Sequence, residues 1–201
     1  MNASSPRGYL LIGLLACLSC AQLRAGSVSL EFANGNSSTV TAPGIRITPS
    51  DIPELSASPA WKLTTFTWLS PRRSGGEPTG RGYLLIFDAS KFDPAEKTYP
   101  QVNNETNGLI AVSSTYLDGQ YAFPDNVILE KGKSYYILNS VPITTDRVPK
   151  APSQYGFTPS ITSNGIERWT GTETAWSSST SPGAPNFRAA FTSAPKPTST
   201  P

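Results

Sequence analysis

Aromatic side chains are the clearest candidates for ligand contact in this sequence. Trp169 and Trp176 bound a stretch of small and polar residues, WTGTETAW, and Tyr155 precedes them along the chain. Large aromatic rings within polar loops often form contact surfaces, and exposed indole and phenol rings can stack on sugar rings. We therefore expect these three residues to bind a ligand, with a glycan as the expected class. The alternative is that strand alternation places both indoles in the core, as we expect for Trp68.

Carboxylates are the second group of candidate functional residues, either as metal ligands or as catalytic acids. Asp88 and Asp93 follow the apolar run of residues 83–87, in FDASKFDPAE, and could supply oxygen ligands to a structural calcium ion. This segment lacks a regular Asp-x-Asp-x-Asp spacing, and the alternative is that both residues cap turns. Glycoside hydrolysis needs two carboxyl groups roughly 5–10 Å apart, so the scattered acids leave that reaction open as a weaker alternative.

Composition disfavours most other catalytic classes. The chain has no histidine, so a serine or cysteine nucleophile would have no imidazole base and zinc would have no imidazole ligand. We therefore expect a protein that is not an enzyme, with no catalytic residue and no cofactor beyond the candidate calcium. The 16 basic and 14 acidic residues form no basic stripe, which argues against nucleic acid as a partner.

The first 25 residues have the three parts of a secretory signal. Arg7 supplies the positive charge of the segment before the apolar run. The ten residues 9–18 (YLLIGLLACL) form that run. This run is shorter than the roughly 20 residues that cross a bilayer. Small residues follow it, and we expect cleavage after Ala21 or Ala25. The protein is therefore expected to be exported to the cell surface, the periplasm or the extracellular space.

Both cysteines, Cys17 and Cys20, lie within this segment. The residues LLAC that end at Cys17 resemble a bacterial lipobox, which makes Cys17 a candidate site of lipidation and anchoring. Cleavage after Ala21 or Ala25 would instead leave a mature chain without cysteine. Such a chain would depend on its hydrophobic core, and we expect no transmembrane span in it.

Short extended runs with turn residues between them follow the signal. Residues 28–32 alternate between apolar and polar, whereas residues 83–87 (YLLIF) are continuously apolar, as in a strand covered on both faces. Asn107-Gly108, Asp118-Gly119 and Asn164-Gly165 are typical of tight hairpin turns. The sequence therefore predicts an all-β fold, an antiparallel β-sandwich of jelly-roll type with little helix outside the signal segment.

These runs also predict the domain organisation. Residues 26–192 are expected to form a single sandwich domain, and residues 193–201, rich in proline, serine and threonine, a disordered tail. Large apolar side chains on strand faces should form the core. The predicted core residues are Leu63, Trp68, Leu85, Phe87, Ile110, Leu129, Tyr136, Leu138 and Phe191.

The order of the central runs is similar to that of a known family. Residues 82–88 (GYLLIFD) are followed by residues 109–114 (LIAVSS) and by residues 127–138 (VILEKGKSYYIL). This order resembles the bacterial exported jelly-roll domains of the choice-of-anchor type, over roughly residues 55–192. The resemblance implies the fold and the exported location and carries over no site residues. This chain differs from that family in lacking a hydrophobic anchor at its C-terminal end.

Three classes of function remain. The leading hypothesis is an exported, non-enzymatic surface or periplasmic domain for binding or adhesion, with a glycan or another cell-surface partner. The second is a structural or matrix protein without a small ligand. The third is a carboxylate-dependent glycoside hydrolase.

Overall fold

The chain folds into short strands joined by turns. The computed structural model describes residues 26–32, 36–38, 42–69, 78–79, 82–97, 102–103, 105–124, 126–140, 155–158, 165–171, 175–178 and 184–197. The strands are β1 (Ser27–Phe32), β2 (Asn36–Ser38), β3 (Ala42–Ile47), β4 (Ala60–Leu69), β5 (Pro78–Thr79), β6 (Tyr83–Asp88), β7 (Leu109–Val112), β8 (Tyr121–Ala122), β9 (Ile128–Glu130), β10 (Tyr135–Ser140), β11 (Tyr155–Thr158), β12 (Ile166–Gly171), β13 (Trp176–Ser178), β14 (Ala184–Pro185) and β15 (Phe187–Ala194). Short 3₁₀ turns span Pro49–Asp51, Pro53–Leu55 and Pro94–Glu96, and none of the described residues is α-helical. The expected all-β class is confirmed. The candidate signal, with Cys17, lies outside the described residues.

Antiparallel pairing joins the strands into two main sheets. Sheet A has the order β1-β15-β4-β5, with β8 and β9 also paired to β4. Sheet B has the order β13-β12-β3-β10-β6-β7, and a small third sheet has the order β14-β11-β2. The first and last strands are neighbours, since Ser27 faces Thr192 and Phe32 faces Phe187.

A buried cluster between the two main sheets forms the principal core. On sheet A, the Phe66 ring stacks on Phe187 with centroids 5.1 Å apart and meets Trp68 edge-on at 4.7 Å. On sheet B, Ile137 of β10 and Ile86 of β6 are register partners, and both are fully buried in the same cluster. Because one cluster takes side chains from both sheets, the predicted β-sandwich is confirmed.

Sheet B also carries an apolar cluster on its other face. Leu84 and Ile86 belong to the core between the sheets, whereas Leu85 and Phe87 belong to the second cluster. The continuously apolar run YLLIF is therefore buried on both faces, as its pattern predicted. We call the second group the outer cluster, and its buried members are Ala42, Leu85, Phe87, Phe92, Val102, Tyr136, Leu138, Trp169 and Trp176.

The predicted core is correct except at Ile110. The other residues of the predicted set are buried, but Ile110 is 37% exposed. Between β6 and β7, Ile86 faces Ala111 while Phe87 faces Leu109, so Ile110 is the extra residue of a bulge. A bulge interrupts the alternation of side chains between the two faces. The expectation that Ile110 is buried is therefore wrong.

The last strand extends past the predicted end of the domain. Ala194 pairs with Ala60, and the Ser193 N–H donates to the Gly26 carbonyl at 2.8 Å. The boundary predicted at residue 192 is therefore too early, because Ser193 and Ala194 belong to β15. Residues 195–197 are exposed and follow the strand, and the remainder of the predicted tail lies outside the described residues.

Across the described parts of the chain, no helix combines the length and the apolar character needed to cross a membrane.

Candidate binding site

The two tryptophans singled out in the sequence lie on paired strands. Trp169 is in β12 and Trp176 in β13, and their side chains are only 7% and 2% exposed. Alternation turns Thr170 and Ser177, the polar neighbours of the two indoles, to the opposite face. The interpretation of these rings as exposed stacking surfaces is wrong, and the alternative of core packing is confirmed.

Two glycines make room for the Trp176 ring. A Cβ atom added at Gly171 would lie 2.7 Å from Cε2 and Cζ2 of Trp176, and one added at Gly44 would lie 3.0 Å from Cζ3. The indole therefore packs directly on the backbones of β12 and β3. Trp169 lies in the same cluster, where its ring meets Tyr136 edge-on at 5.2 Å.

Tyr155 lies in a different sheet from the two tryptophans. It begins β11 in the small third sheet, and its backbone pairs with Ser38 of β2. Its side chain is outside the described part of the structure. The structure does not place Tyr155 in the sheet that carries Trp169 and Trp176, so the three residues do not form one strand surface.

The two calcium candidates both bond to nearby backbone. Asp88 Oδ1 accepts from the Ser90 N–H at 2.9 Å and from the Ser90 hydroxyl at 2.6 Å. Partial burial raises the pKa of Asp88, but these hydrogen bonds and the charges of Lys91 and Lys133 together hold the pKa below its ordinary value. Asp93 Oδ1 accepts from the Ala95 N–H at 3.0 Å and caps the turn Pro94–Glu96. The turn-capping alternative is confirmed.

A metal centre at these acids stays a prediction. Within the described residues, no group of three or more histidine, cysteine, aspartate or glutamate side chains is arranged to hold a metal ion. A calcium ion at Asp88 or Asp93 would therefore need carbonyl or water oxygens to complete its usual six to eight ligands.

An open cavity of about 420 Å³ lies in the connection between β6 and β7. We call it the 91–107 cavity, after the residues that bound it. Seven of its lining residues are polar, and they include equal numbers of lysines and carboxylates. The lining residues are Lys91, Phe92, Asp93, Lys97, Asn103, Glu105, Thr106 and Asn107.

One wall of this cavity is attached to sheet B. The Phe92 ring packs on Phe87 with centroids 4.2 Å apart and meets Tyr136 edge-on at 6.2 Å. At the other end of the wall, the Lys97 N–H donates to the Pro94 carbonyl at 2.9 Å. The Lys97 carbonyl accepts from the Trp176 N–H at 3.0 Å. The wall is thus fixed at both ends.

The facing wall is held by its own hydrogen bonds. Asn103 Oδ1 accepts from the Glu105 N–H at 2.8 Å, and Thr106 Oγ1 accepts from the Asn103 N–H at 3.0 Å. Asn107 Oδ1 accepts from the N–H of Gly108, whose φ of 82° reverses the chain into β7. The backbone of this wall and the Asn103, Thr106 and Asn107 side chains are thus ordered before a ligand binds, which lowers the entropic cost of binding.

Sequence reasoning found parts of this cavity without joining them. Asp93 was singled out as a metal candidate and Asn107-Gly108 as a turn, but they come from opposite ends of the β6–β7 connection. The available signal was the density of asparagine, lysine and acidic residues in a connection that also carries a buried aromatic, Phe92.

Comparisons with known proteins give no relative for this chain. No family model matches it. Neither the curated proteins nor the solved structures contain a match. The similarity to choice-of-anchor domains stays a prediction.

Proposed function

We propose that this protein is an exported, non-catalytic binding or adhesion domain whose 91–107 cavity binds a glycan. The lining of the cavity carries the proposal. Each sugar hydroxyl both donates and accepts hydrogen bonds, so a glycan site needs both kinds of group within reach of one ligand. Asn103 and Asn107 offer amide groups, Lys91 and Lys97 offer donors, and Glu105 offers acceptors.

The charge of the cavity favours a neutral ligand. Two lysines, Lys91 and Lys97, are balanced by Asp93 and Glu105, so the lining has no formal net charge. Binding of nucleic-acid phosphates depends on an excess of cations, which this lining does not supply. Phe92 lines the cavity but is only 7% exposed, so recognition must come mainly from the polar side chains.

Weak binding is expected, because the cavity is open and its lining is mostly polar. Little apolar surface is removed from water, so affinity must come from hydrogen bonds that replace bonds to water. We expect a dissociation constant on the order of 0.1–1 mM for a short oligosaccharide. Adhesion through many copies at a surface would strengthen such contacts.

The test is calorimetric titration with a panel of neutral oligosaccharides, namely cello-, xylo-, manno- and chito-oligomers. The test variant is the double substitution Lys97→Ala and Glu105→Ala, which removes one donor group and one acceptor group and keeps the net charge. Both residues are exposed, so folding should be unchanged. The matched control is Lys196→Ala with Glu54→Ala, which removes the same charges outside the cavity lining.

We expect at least one oligosaccharide to bind the wild type and the control, and to bind the Lys97/Glu105 variant at least tenfold more weakly. Absence of binding to the wild type at about 10 mM ligand, well above the expected dissociation constant, would contradict the glycan proposal. That result would favour the structural or matrix alternative. Equal binding by the test variant would show that the ligand lies elsewhere.

Glycoside hydrolysis is a second candidate function, because Asp93 and Glu105 line the same cavity. Two carboxyl groups beside one sugar are the minimum for this reaction. The same oligosaccharides should be recovered intact after prolonged incubation, as measured by mass spectrometry. Cleavage that is lost in Glu105→Gln would overturn the non-catalytic proposal.

Export is supported by the signal features of residues 1–25. The mass of the mature protein from its native host tests it. We expect a start after residue 21 or 25, or a lipid-modified start at Cys17. A mature protein that retains Met1 would contradict export through this signal.

A further inference from the structure

We infer that Trp176 is a positioning residue for the 91–107 cavity, because its backbone and its buried ring together hold the wall that carries Lys97. The effect on ligand affinity rests on the proposed function. The effect on the wall itself does not, and it can be measured without a ligand.

The backbone of Lys97 is bonded on both sides. Its carbonyl accepts from the Trp176 N–H at 3.0 Å, and its own N–H donates to the Pro94 carbonyl at 2.9 Å. With both backbone polar groups bonded, the Cα of Lys97 has a fixed position. The Lys97 side chain, which lines the cavity, therefore starts from a fixed point.

Trp176 is itself held in place by its ring. Its ring is buried against Gly44 and Gly171, where an added Cβ would approach to 3.0 Å or less. Trp176 is also the register partner of Gly171. β13 therefore cannot shift along β12 unless the ring leaves its place in the outer cluster, and the hydrogen bond to Lys97 depends on the same placement.

Trp68 is a buried tryptophan in the other main sheet. That indole is fully buried in the core between the sheets and lies on sheet A. Loss of part of either ring should lower the global stability. Only the change at Trp176 should loosen the cavity wall, since only Trp176 belongs to the strand that bonds to Lys97.

The test uses two perturbations of the same contact. Gly171→Ala places a methyl group 2.7 Å from the indole and should displace the ring. Trp176→Phe in the Gly171→Ala background gives the added methyl group space and should restore the wall. Trp68→Phe is the matched control, and Trp176→Phe alone is the milder variant if Gly171→Ala does not fold.

Amide hydrogen exchange under native conditions reports on the wall. We expect the Ala95, Lys97 and Trp176 amides to exchange at least tenfold faster in Gly171→Ala, and to recover most of their protection in the double variant. In Trp68→Phe these amides should keep their wild-type rates. Unchanged exchange at Lys97 and Trp176 in Gly171→Ala would overturn the inference, whatever the protein binds.

Affinity gives the second readout, using the panel oligosaccharide that binds the wild type most tightly. Gly171→Ala should raise its dissociation constant about tenfold, Trp68→Phe should leave it unchanged, and the double variant should return it to within about threefold of wild type. Equal weakening by Trp68→Phe would mean that Trp176 acts only through global stability. A wild type that binds no oligosaccharide would refute the proposed function, and the exchange rates would then decide the positioning role alone.

Discussion

Truncation of Leu85 and of Ile110 to alanine should have very different effects on stability. Both residues are branched aliphatics in adjacent strands of sheet B, and the sequence predicts both to be core residues. Leu85 is 2% exposed in the outer cluster, where it is the register partner of Leu138. Ile110 occupies the bulge of β7 and is more than a third exposed.

The magnitudes follow from burial. Leu85→Ala removes three buried carbon atoms and leaves a cavity in the outer cluster, which should cost about 2–5 kcal/mol of unfolding free energy. For a domain of this size that corresponds to a melting temperature lower by about 6–15 °C, at roughly 3 °C per kcal/mol. Ile110→Ala removes atoms that are partly in water, and its cost should be about 1 kcal/mol or less.

Urea unfolding followed by tryptophan fluorescence is the appropriate assay, because the slope of the transition checks that both variants unfold as the wild type does. A cost for Ile110→Ala as large as that for Leu85→Ala would refute the bulge and place Ile110 inside a regular ladder. A cost below about 1 kcal/mol for Leu85→Ala would refute the close packing of the outer cluster.

Further predictions concern close packing, charge and the start of the folded unit. Gly44→Ala should cost about 1–3 kcal/mol in urea unfolding, because its Cβ would lie 2.6 Å from a leucine methyl group of β10, whereas Gly26→Ala should be neutral, since no atom lies within 4 Å. The hydrogen bond from Arg188 lowers the pKa of Glu31, so this pair stabilises the fold above the unfolded-state pKa and the stabilisation is lost as the pH falls through the folded pKa. Glu31→Gln should therefore cost about 0.2–1 kcal/mol at pH 7 and progressively less as the pH falls through the folded-state pKa, and a cost that does not decrease on acidification would contradict the ion pair. A chain that begins at Gly26 should melt at the temperature of the full chain, and a large loss in calorimetry would show that residues 1–25 stabilise the fold.

Local patterns in the sequence predicted the sheets well. The run YLLIF requires an apolar environment on both sides, and β6 has one in the two clusters. Asp118-Gly119 forms the expected tight turn, with positive φ at both residues. These predictions succeeded because the strand and the turn are each specified by the same few residues that form them.

Predictions that depended on a partner strand failed or stayed incomplete. The burial of Trp176 requires space above Gly44, which is far away in sequence. The exposure of Ile110 follows from a register shift against β6 and has no signal within β7 itself. The 91–107 cavity likewise requires two walls from opposite ends of one connection, and only the folded chain brings them together.

The pairing of β1 with β15 determines when the fold can form. β15 lies between β1 and β4 in sheet A, so β1 cannot join that sheet until β15 is present. Bringing Gly26 to Ser193 closes most of the chain into one loop, which costs conformational entropy before the contacts can offset it. Folding should therefore be slow compared with helical proteins of similar length, and it should follow synthesis of β15. A ribosome-bound chain that ends before residue 187 should remain open to proteases, and it should become resistant only after β15 has emerged.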